Sequence, residues 1–173
     1  MVETLEENSL LTLEKKLQEW LEDAKKEAVL VIGNPLRSDD GVGSLLIQEL
    51  GQYDLPKNVK LFNCEIVPEN FTRLIKKFKP THVILVDSAQ LNEKPGTVKL
   101  VSPTKIGGIA FSTHTLPLTF LIRYLKEVSK AKIVLLAIQP KNIDFGSKLT
   151  PELKDTLNKL TLLMKKIFQV KNP

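Results

Sequence analysis

At 173 residues, with 42% hydrophobic and 26% charged residues, the chain has the size and composition of one globular domain with a real core. No apolar run approaches the roughly 20 residues that span a bilayer, and a single cysteine, Cys64, excludes an internal disulfide and a multi-cysteine zinc site. The net charge of +5 is spread along helical segments, and with 6% aromatic residues it reads as solvated helix faces, not a nucleic-acid surface.

The opening Met-Val-Glu-Thr-Leu-Glu-Glu is acidic and lacks a signal-peptide core, so a cytoplasmic protein without membrane insertion is expected. Leu13, Leu17, Trp20, Leu21 and Ala24 recur at helical spacing between Leu11 and Ala28, predicting an added N-terminal helix on the outside of the fold. Ala28–Ile32 reads as a buried strand, and Val42–Leu50 as the helix after it. A second strand is predicted over Val59–Val67. A second helix follows over Glu69–Phe78, opened by Pro68. The third strand is His82–Val86, ending at Asp87. A hairpin-like turn, Asn92-Glu93-Lys94-Pro95-Gly96, leads to a fourth strand, Thr97–Val101. A loop holding Gly107 and Gly108 precedes a long helix, Leu116–Lys130, then a fifth strand, Lys132–Ile138. Pro151 marks the first turn of a last helix that starts at Thr150 and runs to about Phe168. This alternation predicts one α/β domain over 1–173, with a largely parallel sheet covered on both faces. Residues 1–27 form its helical extension and 28–170 its core.

The turn Gly33-Asn34-Pro35-Leu36-Arg37-Ser38-Asp39-Asp40-Gly41-Val42-Gly43 carries the most chemistry. A strand–turn–helix of this kind resembles a dinucleotide loop, which offers bare N–H groups to a phosphate. Here two carboxylates occupy that end, which repels an anion and suits a cation. In open α/β sheets ligands bind beyond the carboxyl ends of the strands. Asp39 and Asp40 follow the first strand, Asp87 ends the third, and Gln139 follows the fifth, so all converge on one rim if the sheet is parallel there. His114, in Phe111-Ser112-Thr113-His114-Thr115, is delivered to the same rim if the glycine-containing loop folds over it. Two carboxylates and an imidazole suit Ni²⁺, Zn²⁺ or Mn²⁺ and leave coordination positions open. Each residue also has a plainer role. Asp39 or Asp40 can cap the following helix, Asp87 can bind a neighbouring turn, and His114 can start a helix. His82 reads as structural or exposed, and Cys64 as a small buried hydrophobe. No Gly-x-Ser-x-Gly elbow is present.

These segments resemble the NiFe-hydrogenase maturation endopeptidases, in the subgroup that processes formate-hydrogenlyase-type (hydrogenase 3) enzymes. Gly33–Gly43 is similar to the family's opening motif, Val86-Asp87-Ser88 to its Val-Asp-Ala, Ser112–Leu118 to its Thr-His-x-x-Pro-Leu, and Ala137-Ile138-Gln139-Pro140 to its Gly-Ile-Gln-Pro. The four occur in register between Val29 and Phe168. Val31 replaces the first glycine of the usual Gly-x-Gly-Asn, and Met1–Lys26 extend beyond the usual start. The resemblance implies a three-layer α/β sandwich with a mixed sheet of about five strands. It implies an endopeptidase that removes the C-terminal extension of the hydrogenase large-subunit precursor after nickel insertion. Asp40, Asp87 and His114 are its implied nickel contacts. The nickel is expected to arrive with the substrate, and other divalent ions are expected to fit the same site. Asp39 or Asp40 is the expected general base on a water. Asn34, Arg37, Gly41, Thr115 and Gln139 are the expected substrate contacts, and a monomer is expected. A nickel-dependent checkpoint or chaperone that binds the precursor without hydrolysis remains the alternative, because no serine, cysteine or threonine nucleophile is visible. A nucleotide-binding domain is disfavoured by the aspartates.

Overall fold

A computed structural model describes residues 2–111 and 118–171. In chain order the elements are α1 (Val2–Trp20), β1 (Glu27–Ile32), α2 (Val42–Leu50), β2 (Val59–Glu65), α3 (Thr72–Phe78), β3 (His82–Gln90), β4 (Val98–Val101), β5 (Ala110–Phe111), α4 (Leu118–Ser129), β6 (Lys132–Ile138) and α5 (Pro151–Lys171). The strands line up as β2-β1-β3-β6-β4, with the two-residue β5 paired to the far end of β3. Pairing is parallel from β2 through β6, and β4 runs antiparallel on the edge. This is the mixed, mostly parallel sheet expected from the alternating pattern.

The apolar strand residues divide by parity, as a pleated strand requires. Val29, Val31, Ile84, Val86, Val134, Leu136 and Ile138 face a layer built by α1, α2 and α5. Ala28, Leu30, Ile32, Val83, Leu85, Ile133, Leu135 and Ala137 face the opposite layer, where α3 and α4 contribute Ile75, Phe78, Leu121, Ile122 and Leu125. Both faces are covered, so every residue of β1 is buried. α1 is more than an outer appendage. Leu13 and Leu17, with Leu21 in the turn just after the helix, belong to the same core cluster as Leu160, Met164 and Phe168 of α5.

Several boundaries differ from the sequence expectation: α1 already begins at Val2, α3 begins only at Thr72, and α5 runs on to Lys171. The N-terminal helix stops at Trp20, and Leu21 and Ala24 continue in hydrogen-bonded turns. β2 ends at Glu65, whose φ of 47° turns the chain out of the sheet. β3 runs through Asp87 to Gln90, because β6 pairs Asp87 with Ala137 and Ser88 with Ile138, and β5 pairs the last two residues. The Asn92–Gly96 turn makes no hairpin. The Gly96 N–H donates to the Gln139 carbonyl (2.8 Å), so β4 crosses to pair with β6 and not with β3.

Candidate functional site

The site lies where β1, β3 and β6 reach their carboxyl ends. After Ile32, Gly33 takes a φ of 144°, and a Cβ there would run into the carbonyl oxygen of Asp40. Only glycine lets the turn close this tightly on itself. The Gly33 N–H donates to the Glu65 carbonyl (2.9 Å), fixing the turn to β2. Helix α2 then approaches β1 through Gly43, where an added Cβ would come within 2.9 Å of the Val31 Cβ. The valine that replaces the usual motif glycine is thus accommodated by a glycine on the facing helix.

Asp40 is buried, and its carboxylate is held from two sides. Oδ2 accepts the Asn34 N–H at 2.7 Å, and Oδ1 accepts the Ser88 hydroxyl. The second bond sets the turn after β1 against β3, one residue beyond Asp87. Strand alternation puts Ser88 on the face of Ile84 and Val86, and Asp87 on the face of Leu85 and Ala89. The two acids therefore reach one rim from opposite sides of the sheet, just past the point where β1 ends. Asp87 is fully buried.

Asp39, although adjacent, does something different. Its carboxylate accepts the N–H groups of Lys141 (2.9 Å), Asn142 (3.0 Å) and Thr150 (2.8 Å), and the Thr150 hydroxyl (2.9 Å). It anchors the loop after β6 and stands at the N-terminus of α5, which begins at the next residue, Pro151. The helix capped by this acid is the last one in the chain, not the one that follows it. A carboxylate whose oxygens take three backbone N–H groups and a hydroxyl is a scaffold for the loop after β6.

The expected substrate contacts divide in the same way. Asn34 turns its Oδ1 to the Leu36 N–H (2.9 Å) and closes the loop. Arg37 is half-buried and places its Nε on the Ile143 carbonyl (3.0 Å). Gly41 is buried against Pro35. Gln139 braces the rim internally, accepting the Leu91 N–H (2.7 Å) and donating to the Gln90 Oε1 and the Pro140 carbonyl (both 3.0 Å). His114 and Thr115 lie outside the described residues. Among the described residues no three His, Cys, Asp or Glu side chains gather as a metal-holding group. Asp40 and Asp87 are two buried carboxylates at the carboxyl ends of β1 and β3.

Ser88 is the site residue that sequence reasoning passed over. Its signal was visible in principle, since a hydroxyl stands here where the resembling motif has alanine. His82 and Cys64 lie elsewhere and are buried. Burial, helped by the charge of Glu69, pushes the Cys64 thiol up to about 12, which removes it as a nucleophile at neutral pH. No helix among the described residues is long and apolar enough to cross a membrane.

The HycI hydrogenase maturation protease family model matches residues 45–167, a span that opens just after the Gly33–Gly43 turn. The hydrogenase 3 maturation protease of Escherichia coli is 31% identical over 133 residues, covering 76% of this chain and 83% of its own. A Methanocaldococcus jannaschii relative is 36% identical over 167 residues, 87% of this chain and 99% of its own. The crystal structure of HycI from Thermococcus kodakarensis superposes with a TM-score of 0.82 at 29% identity, over 88% of this chain and 98% of that one.

Proposed function

The chain belongs to the hydrogenase maturation protease family, and from that premise we propose that it removes the C-terminal extension of a NiFe-hydrogenase large-subunit precursor once nickel has been inserted. Its activity is peptide-bond hydrolysis. The precursor's nickel is read as part of the substrate, bound by Asp40, Asp87 and His114 while the precursor's own cysteines still hold it. The observation that carries this reading is the Ser88–Asp40 hydrogen bond, which brings the turn after β1 to the strand bearing Asp87. Phe111, three residues before His114, pairs with Ala89, two residues past Asp87.

Two carboxylates and an imidazole hold a cation only weakly without further ligands, and the precursor supplies them. An unmetallated precursor offers no such anchor, and ordering its tail on the protease then has nothing to offset it. Asp40 is assigned as the general base that takes a proton from the attacking water. Loop 34–41 lies along the scissile segment. Zn²⁺ and Mn²⁺, with similar ligand preferences, compete for the same place. We further propose that the protein works in the cytoplasm as a monomer.

The test is to incubate purified protein with nickel-loaded and nickel-free large-subunit precursor and to weigh the large subunit before and after. Truncation in the loaded sample alone is expected. Equal truncation in both rejects recognition through nickel, and an unchanged mass in both rejects processing of this substrate.

A further inference from the structure

Leu36 and Phe145 are the exposed apolar residues of two loops that are stitched together beside Asp40. Ser38 donates its N–H to the Gly146 carbonyl (2.7 Å), and Gly146 donates its own to the Leu36 carbonyl (2.8 Å). The Ser38 hydroxyl reaches the Asp144 carbonyl (3.0 Å), and Arg37 Nε the Ile143 carbonyl (3.0 Å). Asp39 fixes the same loop at Lys141 and Asn142, and Asn142 Oδ1 accepts the Asp144 N–H (2.9 Å). Ser38 holds a left-handed φ of 47° to make these contacts, a strain that its surroundings must offset.

Phe145 is 87% exposed and Leu36 55% exposed. A phenylalanine on a loose loop can fold back onto the surface, but here the backbone is fixed on both sides of it. The ring is held out in water, where the fold gains nothing from it. The ledge is also joined to the reactive acid. The Leu36 N–H bonds to Asn34 Oδ1, and the Asn34 N–H bonds to Asp40 Oδ2.

We propose that Leu36 and Phe145 are specificity-determining residues that grip an apolar side chain of the large-subunit precursor next to its scissile bond. This rests on the protease reading above and adds to it the chemistry of the docking contact. An aromatic and a branched aliphatic side chain fixed at a set offset from the cutting acid determine where along the precursor the bond is presented.

The experiment compares Phe145→Ser, Leu36→Ser and the double variant with the unmodified protein on nickel-loaded precursor. A parallel set in an Asp40→Asn background measures precursor binding without turnover. KM is expected to rise about tenfold for each single variant, with kcat unchanged. Binding in the Asp40→Asn set should weaken in step, and melting temperatures should stay the same because both side chains are exposed. Unchanged KM and binding, or a loss confined to kcat, overturns the docking role. If the unmodified protein leaves the precursor whole, the protease reading fails, and the binding set alone then decides whether the ledge docks it.

Discussion

The Ser88 hydroxyl donates to Asp40 Oδ1 and so joins β3 to the turn that follows β1. Both residues are buried, so this bond and the Asn34 N–H orient a carboxylate that water does not freely reach. Removing the hydroxyl takes one hydrogen-bond partner from a buried carboxyl group, which costs about 1–3 kcal/mol or more. Ser88→Ala is expected to lower kcat for precursor processing by about tenfold, with KM nearly constant and a small drop in melting temperature. Steady-state kinetics beside a thermal melt check this. Unaltered kcat would mean that Asp40 is positioned without the Ser88 hydroxyl.

Asp39 and Asp40 are neighbours in sequence with separable roles, and substitution should separate them. Asp39→Ala strips acceptors from three backbone N–H groups and a hydroxyl in the loop after β6. A loss of roughly 3 kcal/mol or more is expected. Hydrogen exchange should quicken at Lys141, Asn142 and Thr150 while the β6 amides stay protected. Asp39→Asn retains one acceptor oxygen and should recover part of the stability and most of the processing. Full stability with abolished processing in Asp39→Asn would instead make Asp39 the base.

Asp87→Asn preserves side-chain volume and removes the ligand charge. The fold should survive, because Asp87 lies within a strand that β1 pairs up to Val86 and β6 pairs through Ser88. Processing of nickel-loaded precursor is expected to fall at least 100-fold, the scale of losing a ligand interaction of about 3 kcal/mol. Circular dichroism and the mass of the large subunit check the two halves. A variant that processes normally would remove Asp87 from the site.

The fold was most legible where apolar runs are unbroken. α2 and β6 fall on the expected residues, since each is an apolar segment bounded by glycine, proline or a charged turn. β3 was read too short because Asp87 and Ser88 are poor strand formers, and only the pairing with β6 keeps them extended. The turn at 92–96 looked like a hairpin because local turn chemistry carries no record of β6, some 40 residues later. Within the site, Asp40 and Asp87 could be placed by their position at strand ends. The role of Asp39 could not, because its partners lie more than 100 residues away in sequence. Gln139 was found at the right rim, but its engagement with Gln90 and Leu91 depends on the extension of β3 that the sequence concealed.

At the opposite end of the sheet, His82 gives the fold a pH dependence. The ring is buried, edge-on to Trp20 with centroids 4.8 Å apart, with Nδ1 at Thr81 Oγ1 (3.0 Å) and Nε2 at Asp23 Oδ1 (3.1 Å). Burial holds its pKa below the ordinary 6.5, with Lys132 and Lys171 adding to the effect and Asp23 opposing it. The carboxyl of Asp23 is held below its usual range chiefly by its hydrogen bond to Lys132, so it stays charged through the same window. As pH falls through about 6.5, the unfolded chain takes up a proton that the folded ring resists, and stability declines. The decline levels off once the folded ring also protonates. Urea unfolding at pH 8, 6.5 and 5 should show this loss in the unmodified protein and a flatter profile in His82→Gln. Equal slopes in the two proteins would assign the acid sensitivity to other groups.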